Sequence, residues 1–185
     1  MVDTPRSPSY LLSSIFQDGQ TAGISANDMR DLVVSLTPPM GGLYFSTPAA
    51  TTIGSTGVYV KAAGTTTSTI LSSMTMPANN RLTYTGTSPR HFHIVAQASI
   101  TPATGTNQDM GIQVWKYDNS AASGAYLAMS EARTTISSTA VEQITTHGDA
   151  MLDENDYLEI HIANHTATNN ATITYGYLFG MGVIM

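Results

Sequence analysis

Residues 157–162 read Tyr157-Leu158-Glu159-Ile160-His161-Ile162, and this stretch decides the fold. Branched apolar residues alternate with polar or aromatic ones, which is the two-residue period of a strand that lays one face on a core. Leu158, Ile160 and Ile162 are expected inside, and Tyr157, Glu159 and His161 outside. Upstream, residues 90–100 repeat the pattern with Phe92, Ile94, Ala96 and Ala98 on one face. Residues 110–117 set Met110, Ile112, Val114 and Lys116 against Gly111, Gln113, Trp115 and Tyr117. Shorter candidates are 43–46, 58–62, 69–76, 81–85, 126–129, 132–136 and 140–146, and residues 173–185 form a long apolar last strand. Roughly eight to ten strands about 8–12 residues apart, with no helices between them, read as an antiparallel sandwich or barrel. An all-β jelly-roll sandwich is the first choice within that class. Helical crossovers are missing from the pattern, which argues against a parallel α/β sheet.

Ahead of the strands lies a different pattern. Residues 1–24 form an arm. Pro5 and Pro8 disfavour regular structure there, while Leu11, Leu12, Ile15 and Phe16 gather at helical spacing as a small docking cluster. Residues 25–37 carry the one clear helix signal. Ser25 is a good N-cap, with Asp28 three residues on, near the positive end of the helix dipole. Met29, Leu32, Val33 and Leu36 fall on one face, and Thr37-Pro38-Pro39 ends the helix. So short a helix is marginal alone, so its apolar stripe needs a partner. Residues 38–42, with Gly41 and Gly42, are expected to be a flexible Pro/Gly linker, and residues 43–185 the β domain.

The composition narrows the function classes. The 185-residue chain has no cysteine, so disulfides, thiolate nucleophiles and Cys-ligated zinc are excluded. Only 11% of residues are charged, against about 25% in an average soluble protein. That fits either Thr-rich exposed strands or surfaces that pack against other subunits. The net charge of -6 and the scattered Lys and Arg residues argue against nucleic-acid binding. No basic n-region precedes an apolar core at the N-terminus, and no apolar run approaches a membrane span of about 20 residues. A soluble protein made in a cytoplasm is expected.

Chemistry is sparse. His91 and His93 share a strand face, and His161 and His165 are four residues apart without the Glu of a helical zinc motif. Hydrogen-bonded or exposed histidines are the preferred reading, and no metal or cofactor is expected. The acidic turn 153–156 lacks calcium-loop spacing and reads as a solvated cap. No paired carboxylates, nucleophile elbow or phosphate loop appears, so no catalytic residue is named. Asn164-His165-Thr166 and Asn170-Ala171-Thr172 match the N-glycosylation pattern by accident of composition. Trp115, Tyr117, Tyr157 and Tyr175 are candidate interface anchors or core residues, with a glycan platform as the alternative. Gly176, Gly180 and Gly182 in the last strand suggest close backbone approach, either inside the domain or at a symmetry axis.

Residues 20–36, Gln20-Thr21-Ala22-Gly23-Ile24-Ser25-Ala26-Asn27-Asp28-Met29-Arg30-Asp31-Leu32-Val33-Val34-Ser35-Leu36, resemble the G-x-I-(S/T)-A-x-D-(M/L)-R-D-L helix near the N-terminus of many tailed-bacteriophage virion proteins. Residues 80–86, 155–160 and 163–166 are similar to strands of phage structural domains with a tumour-necrosis-factor-like (TNF-like) jelly roll. The resemblance implies a non-enzymatic virion subunit, usually a homotrimer, made in the host cytoplasm. The first expectation is a capsid decoration or cement protein that docks on the major capsid protein, or another virion protein, through its arm and helix. The alternative is a short head or tail fibre that binds a host surface glycan.

Overall fold

A computed structural model describes Tyr10, residues 25–137 and residues 140–183. It divides into two units, one holding the N-terminal segment to Pro38 and the other spanning Pro39–Gly182. The proposed docking cluster Leu11, Leu12, Ile15 and Phe16 lies outside the described residues.

In the first unit, helix α1 spans Ala26–Leu36. Its start is a reciprocal cap. The Asp28 amide donates to Ser25 Oγ at 3.1 Å, and the Ser25 amide donates to Asp28 Oδ2 at 2.8 Å. Each bond satisfies a donor that the first helical turn leaves without a backbone acceptor. At the other end the Thr37 amide and hydroxyl both donate to the Val33 carbonyl. Met29, Val33 and Leu36 are exposed, and Leu32 is half-buried.

The second unit is a sandwich of two antiparallel sheets. Its strands are β1 (Met40–Pro48), β2 (Ala50–Thr51), β3 (Val60–Lys61), β4 (Gly64–Ser72), β5 (Met74–Ala78), β6 (Arg81–Tyr84), β7 (Arg90–Pro102), β8 (Gln108–Asp118), β9 (Ser123–Tyr126), β10 (Ala132–Ile136), β11 (Glu142–Leu152), β12 (Tyr157–Asn164) and β13 (Ala171–Val183). The first sheet runs β11-β7-β13-β1-β4, with β2 on β13. The second runs β10-β8-β12-β6-β5, with β3 on β12 and β9 on β8. Chain neighbours β7 and β8 lie in different sheets, as do β12 and β13, so the chain crosses between layers as a jelly roll does.

Alternation sets which face is core. On β7, Phe92, Ile94, Ala96, Ala98 and Ile100 are buried. They meet Met110, Ile112 and Val114 of β8, Leu158, Ile160 and Ile162 of β12, and Leu43 and Phe45 of β1 in one apolar cluster. Burying each of the larger side chains contributes about 1.5–3 kcal/mol, so this layer is the main source of stability.

Several boundaries differ from the sequence reading. Strand β1 starts at Met40, so Gly41 and Gly42 are buried strand residues, not part of a flexible linker. A Cβ on Gly41 would sit 2.8 Å from Met74 Sδ, and one on Gly42 would sit 2.6 Å from Thr69 Oγ1. The expected single strand 69–76 is two, broken at Ser73, whose φ is 53°. The expected strand 126–129 ends at Tyr126, and Met129 lies in the following turn. The last-strand glycines are used inside the domain. A Cβ on Gly176 would meet the Gln97 carbonyl at 2.9 Å, and one on Gly182 would meet Pro39 at 2.5 Å.

The acidic turn 153–156 is solvated at Glu154 and Asn155 but anchored at its last residue. Asp156 is fully buried. Its carboxylate accepts from the Asn119 and Asp153 amides and lies 3.0 Å from Lys116 Nζ. Lys116, expected on the inward face of its strand, reaches this carboxylate and donates to the Met151 carbonyl. Polar side chains in the same way close gaps the strands leave open. Asn164 is fully buried, donates to Gln108 Oε1 and accepts from the Thr166 and Ala167 amides. The sequon that begins there is therefore closed in the folded chain.

Candidate functional site

The outer faces of the two sheets differ in chemistry. On the second sheet, β12 turns Tyr157, Glu159 and His161 outward, opposite Tyr117, Trp115 and Gln113 of β8. β3 places Lys61 across from His161, and β6 places Thr83 across from Tyr157 with Arg81 at its start. These registers assemble a ladder. Tyr117 and Tyr157 stack at 4.7 Å, and the Arg81 guanidinium lies 3.9 Å from the centre of the Tyr157 ring. Arg81 Nε and Lys61 Nζ both donate to Glu159 Oε1, at 3.0 and 2.7 Å. His161 Nε2 is 3.4 Å from Glu159 Oε2, and its ring stacks on Trp115 at 5.3 Å. Trp115 meets Tyr126 edge-on at 4.8 Å, and Tyr126 leads on to Tyr59 and His165. The Tyr59 hydroxyl donates to Glu131, which also accepts from Arg133.

The pattern put Glu159 and His161 outside, yet they are only 4% and 9% exposed. Long neighbours from β3, β6 and β9 cover them, and a one-strand period cannot show that. Burial by itself would raise the Glu159 carboxyl. The hydrogen bonds from His161 and Lys61, the Lys61 charge and Arg81 overcome this and hold it down to about 2. Burial, reinforced by the Glu131 hydrogen bond and charge, pushes the Tyr59 phenol well above its ordinary value. Two glycines make room for the rings. A Cβ on Gly124 would sit 2.3 Å from the Trp115 indole, and one on Gly111 would sit 2.4 Å from the Tyr59 hydroxyl.

The first sheet is the opposite. Strands β13, β1 and β4 are adjacent and contain no charged residue and no histidine. Tyr44, Tyr175, Tyr177 and Phe179 line an open hollow of about 260 Å³ together with Gly42 and Thr69. Tyr175 is 55% exposed, and Met181 is exposed farther along β13. Charge returns only toward β7 and β11, where His93 Nδ1 lies 2.9 Å from Asp149 Oδ1 and its ring stacks on His147. Among the described residues no group of three or more His, Asp or Glu side chains is arranged to hold a metal ion. No described helix is long and apolar enough to cross a membrane.

The four aromatics singled out in the sequence thus divide. Trp115, Tyr117 and Tyr157 belong to the ladder of the second sheet, where their rings are engaged with one another and with His161, Tyr126 and Arg81. Tyr175 belongs to the hollow of the first. Tyr44, Tyr177 and Phe179 were missed as site residues. The signal present was their lack of any charged neighbour along three strands.

The fold is that of a TNF-like jelly roll, as solved structures of similar architecture show. The crystal structure of murine APRIL at pH 5.0 is similar, with a TM-score of 0.53 and 10% identity over 78% of this chain and 99% of that one. Murine APRIL at pH 8.0 gives 0.51 at the same identity and coverage. The globular domain of zebrafish complement 1qA protein gives 0.49 at 10% identity, over 77% of this chain and 94% of that one. At that identity the likeness concerns the fold alone. No protein-family model matches the chain, and no curated protein matches it in sequence.

Proposed function

We propose that this chain is a non-enzymatic structural subunit that assembles with copies of itself, as a trimer, through the outer face of the first sheet. The carrying observation is the uncharged surface of β13, β1 and β4, with its exposed aromatic hollow. Burying such a face removes apolar area from water without stranding any charge, which favours association. The charged groups of the second sheet support a structural role there. Lys61 and Arg81 both pair with the Glu159 carboxylate, and Asp156 is tied to Lys116.

The finer reading is a bacteriophage capsid decoration or cement protein, resident in the virion. It is supported by the helix motif of residues 20–36 and by the exposed stripe Met29, Val33 and Leu36 on α1, which fits docking to a major capsid protein. The alternative is a short head or tail fibre that recognises a host glycan through aromatics among Trp115, Tyr117, Tyr157 and Tyr175.

Light scattering on purified protein tests the coarse reading. A trimer mass that falls to the monomer on Tyr177→Arg is expected, and a monomer at all concentrations overturns it. Quantitative mass spectrometry of virions tests the finer one. A copy number comparable to the major capsid protein means decoration, a handful of copies means a fibre, and none removes the virion reading.

A further inference from the structure

The turn between β9 and β10 holds a side chain with no evident use inside the domain. Met129 is 95% exposed and sits at φ 62°. Left-handed backbone is strained for a bulky side chain and is ordinarily given to Gly or Asn. The turn itself is firmly held. Ser130 Oγ donates to the Leu127 carbonyl at 2.9 Å and accepts from the Val114 amide at 3.2 Å. Leu127 is buried, and a Cβ on Gly148 of β11 would touch both Leu127 and Ser130. A rigid base at the β11 edge therefore presents one strained, fully solvated, apolar side chain.

The turn joins two strands of the second sheet, whereas the aromatic hollow lies on the first, on β13, β1 and β4 and away from its β11 edge. One protomer cannot insert its own Met129 there. A second copy can, because the knob and the hollow are different patches of one surface, as a head-to-tail interface requires. The chemistry also matches. Thioethers make favourable contacts with aromatic rings, and four rings line the hollow. A volume of about 260 Å³ is ample for one methionine side chain.

We propose that Met129 of each protomer seats in the hollow formed by Tyr44, Tyr175, Tyr177 and Phe179 of the next copy, so that the partner completes the site. This rests on the self-association reading above. It adds the inserted residue and the direction of the contact, with a ring closing when each copy both gives and receives a knob.

The full chain has no native cysteine, so position can be tested directly. Chains carrying Thr69→Cys and chains carrying Met129→Cys are mixed under mild oxidation. A covalent dimer is expected from the mixture and from neither chain alone. In parallel, Met129→Gly removes the knob and suits the left-handed turn. It is expected to weaken association at least tenfold while the melting temperature of the dissociated monomer holds or rises. If the wild type assembles, yet no cross-link forms and Met129→Gly assembles as well as wild type, the knob assignment is overturned and the sheet-face reading stands. If the wild type stays monomeric, or Tyr177→Arg assembles normally, the sheet-face reading itself fails.

Discussion

Asn80 and Ile160 exchange two hydrogen bonds: the Ile160 amide donates to Asn80 Oδ1 at 3.0 Å, and Asn80 Nδ2 donates to the Ile160 carbonyl at 2.8 Å. The side chain of Asn80 thus imitates a strand residue and fills the space beside β12 between β3 and β6. Its Nδ2 also reaches the Ala62 carbonyl at 3.1 Å, and its amide donates to Thr66 Oγ1. Asn80 is fully buried and left-handed at φ 49°, a conformation that Asn tolerates.

Asn80→Ala removes the Asn80 bonds to the Ile160 amide and the Ala62 carbonyl, while the Ile160 carbonyl keeps its bond from the Ala62 amide. Each unsatisfied buried group costs about 1–3 kcal/mol, so a total loss of roughly 2–5 kcal/mol is expected in denaturant unfolding. A loss below about 1 kcal/mol would mean that the strands re-pair without it.

Acid should weaken the ladder through Glu159. Its carboxyl is held at about 2 in the folded chain against an ordinary value of 4.5. A depressed carboxyl adds stability that is complete above about pH 4.5 and is lost as pH falls toward 2. Between pH 5 and pH 3 the stability gap between wild type and Glu159→Gln should narrow by roughly 2 kcal/mol. A gap that stays constant over that range would show that the carboxyl is not depressed.

Gly124→Ala drives a methyl group into the Trp115 indole. The ring must leave His161 or β9 must shift, at a cost of about 1–3 kcal/mol. The change should show as altered Trp fluorescence together with a lower melting temperature. As the only Trp in the chain, Trp115 reports this without ambiguity.

Ser25→Ala removes one half of the α1 cap and should cost about 1 kcal/mol locally. Amide exchange in the first turn of Ala26–Leu36 is expected to speed up several-fold, while exchange in β7 and β12 is unchanged. Faster exchange in those strands as well would show that the helix and the sandwich unfold together.

How much was legible follows from the range of each interaction. Alternation at Leu158, Ile160 and Ile162, and at Phe92, Ile94 and Ala96, determined the strands and their core faces, because side-chain direction repeats every two residues. Ser25 and Asp28 determined the helix start, because a cap is a contact three residues long. The antiparallel strands and the short helix Ala26–Leu36 therefore followed from local pattern alone. Only the tertiary structure could reveal that Glu159 and His161 are roofed over, that Asp156 anchors the otherwise solvated acidic turn from inside, and that Gly41 and Gly42 are strand residues. Their partners, Lys61, Arg81, Lys116, Met74 and Thr69, come from other strands. The charge-free face of β13, β1 and β4 was equally out of reach, since those strands become neighbours only when the last strand of the chain inserts beside the first. Local periodicity says which way a side chain points, whereas sheet order decides what it meets there.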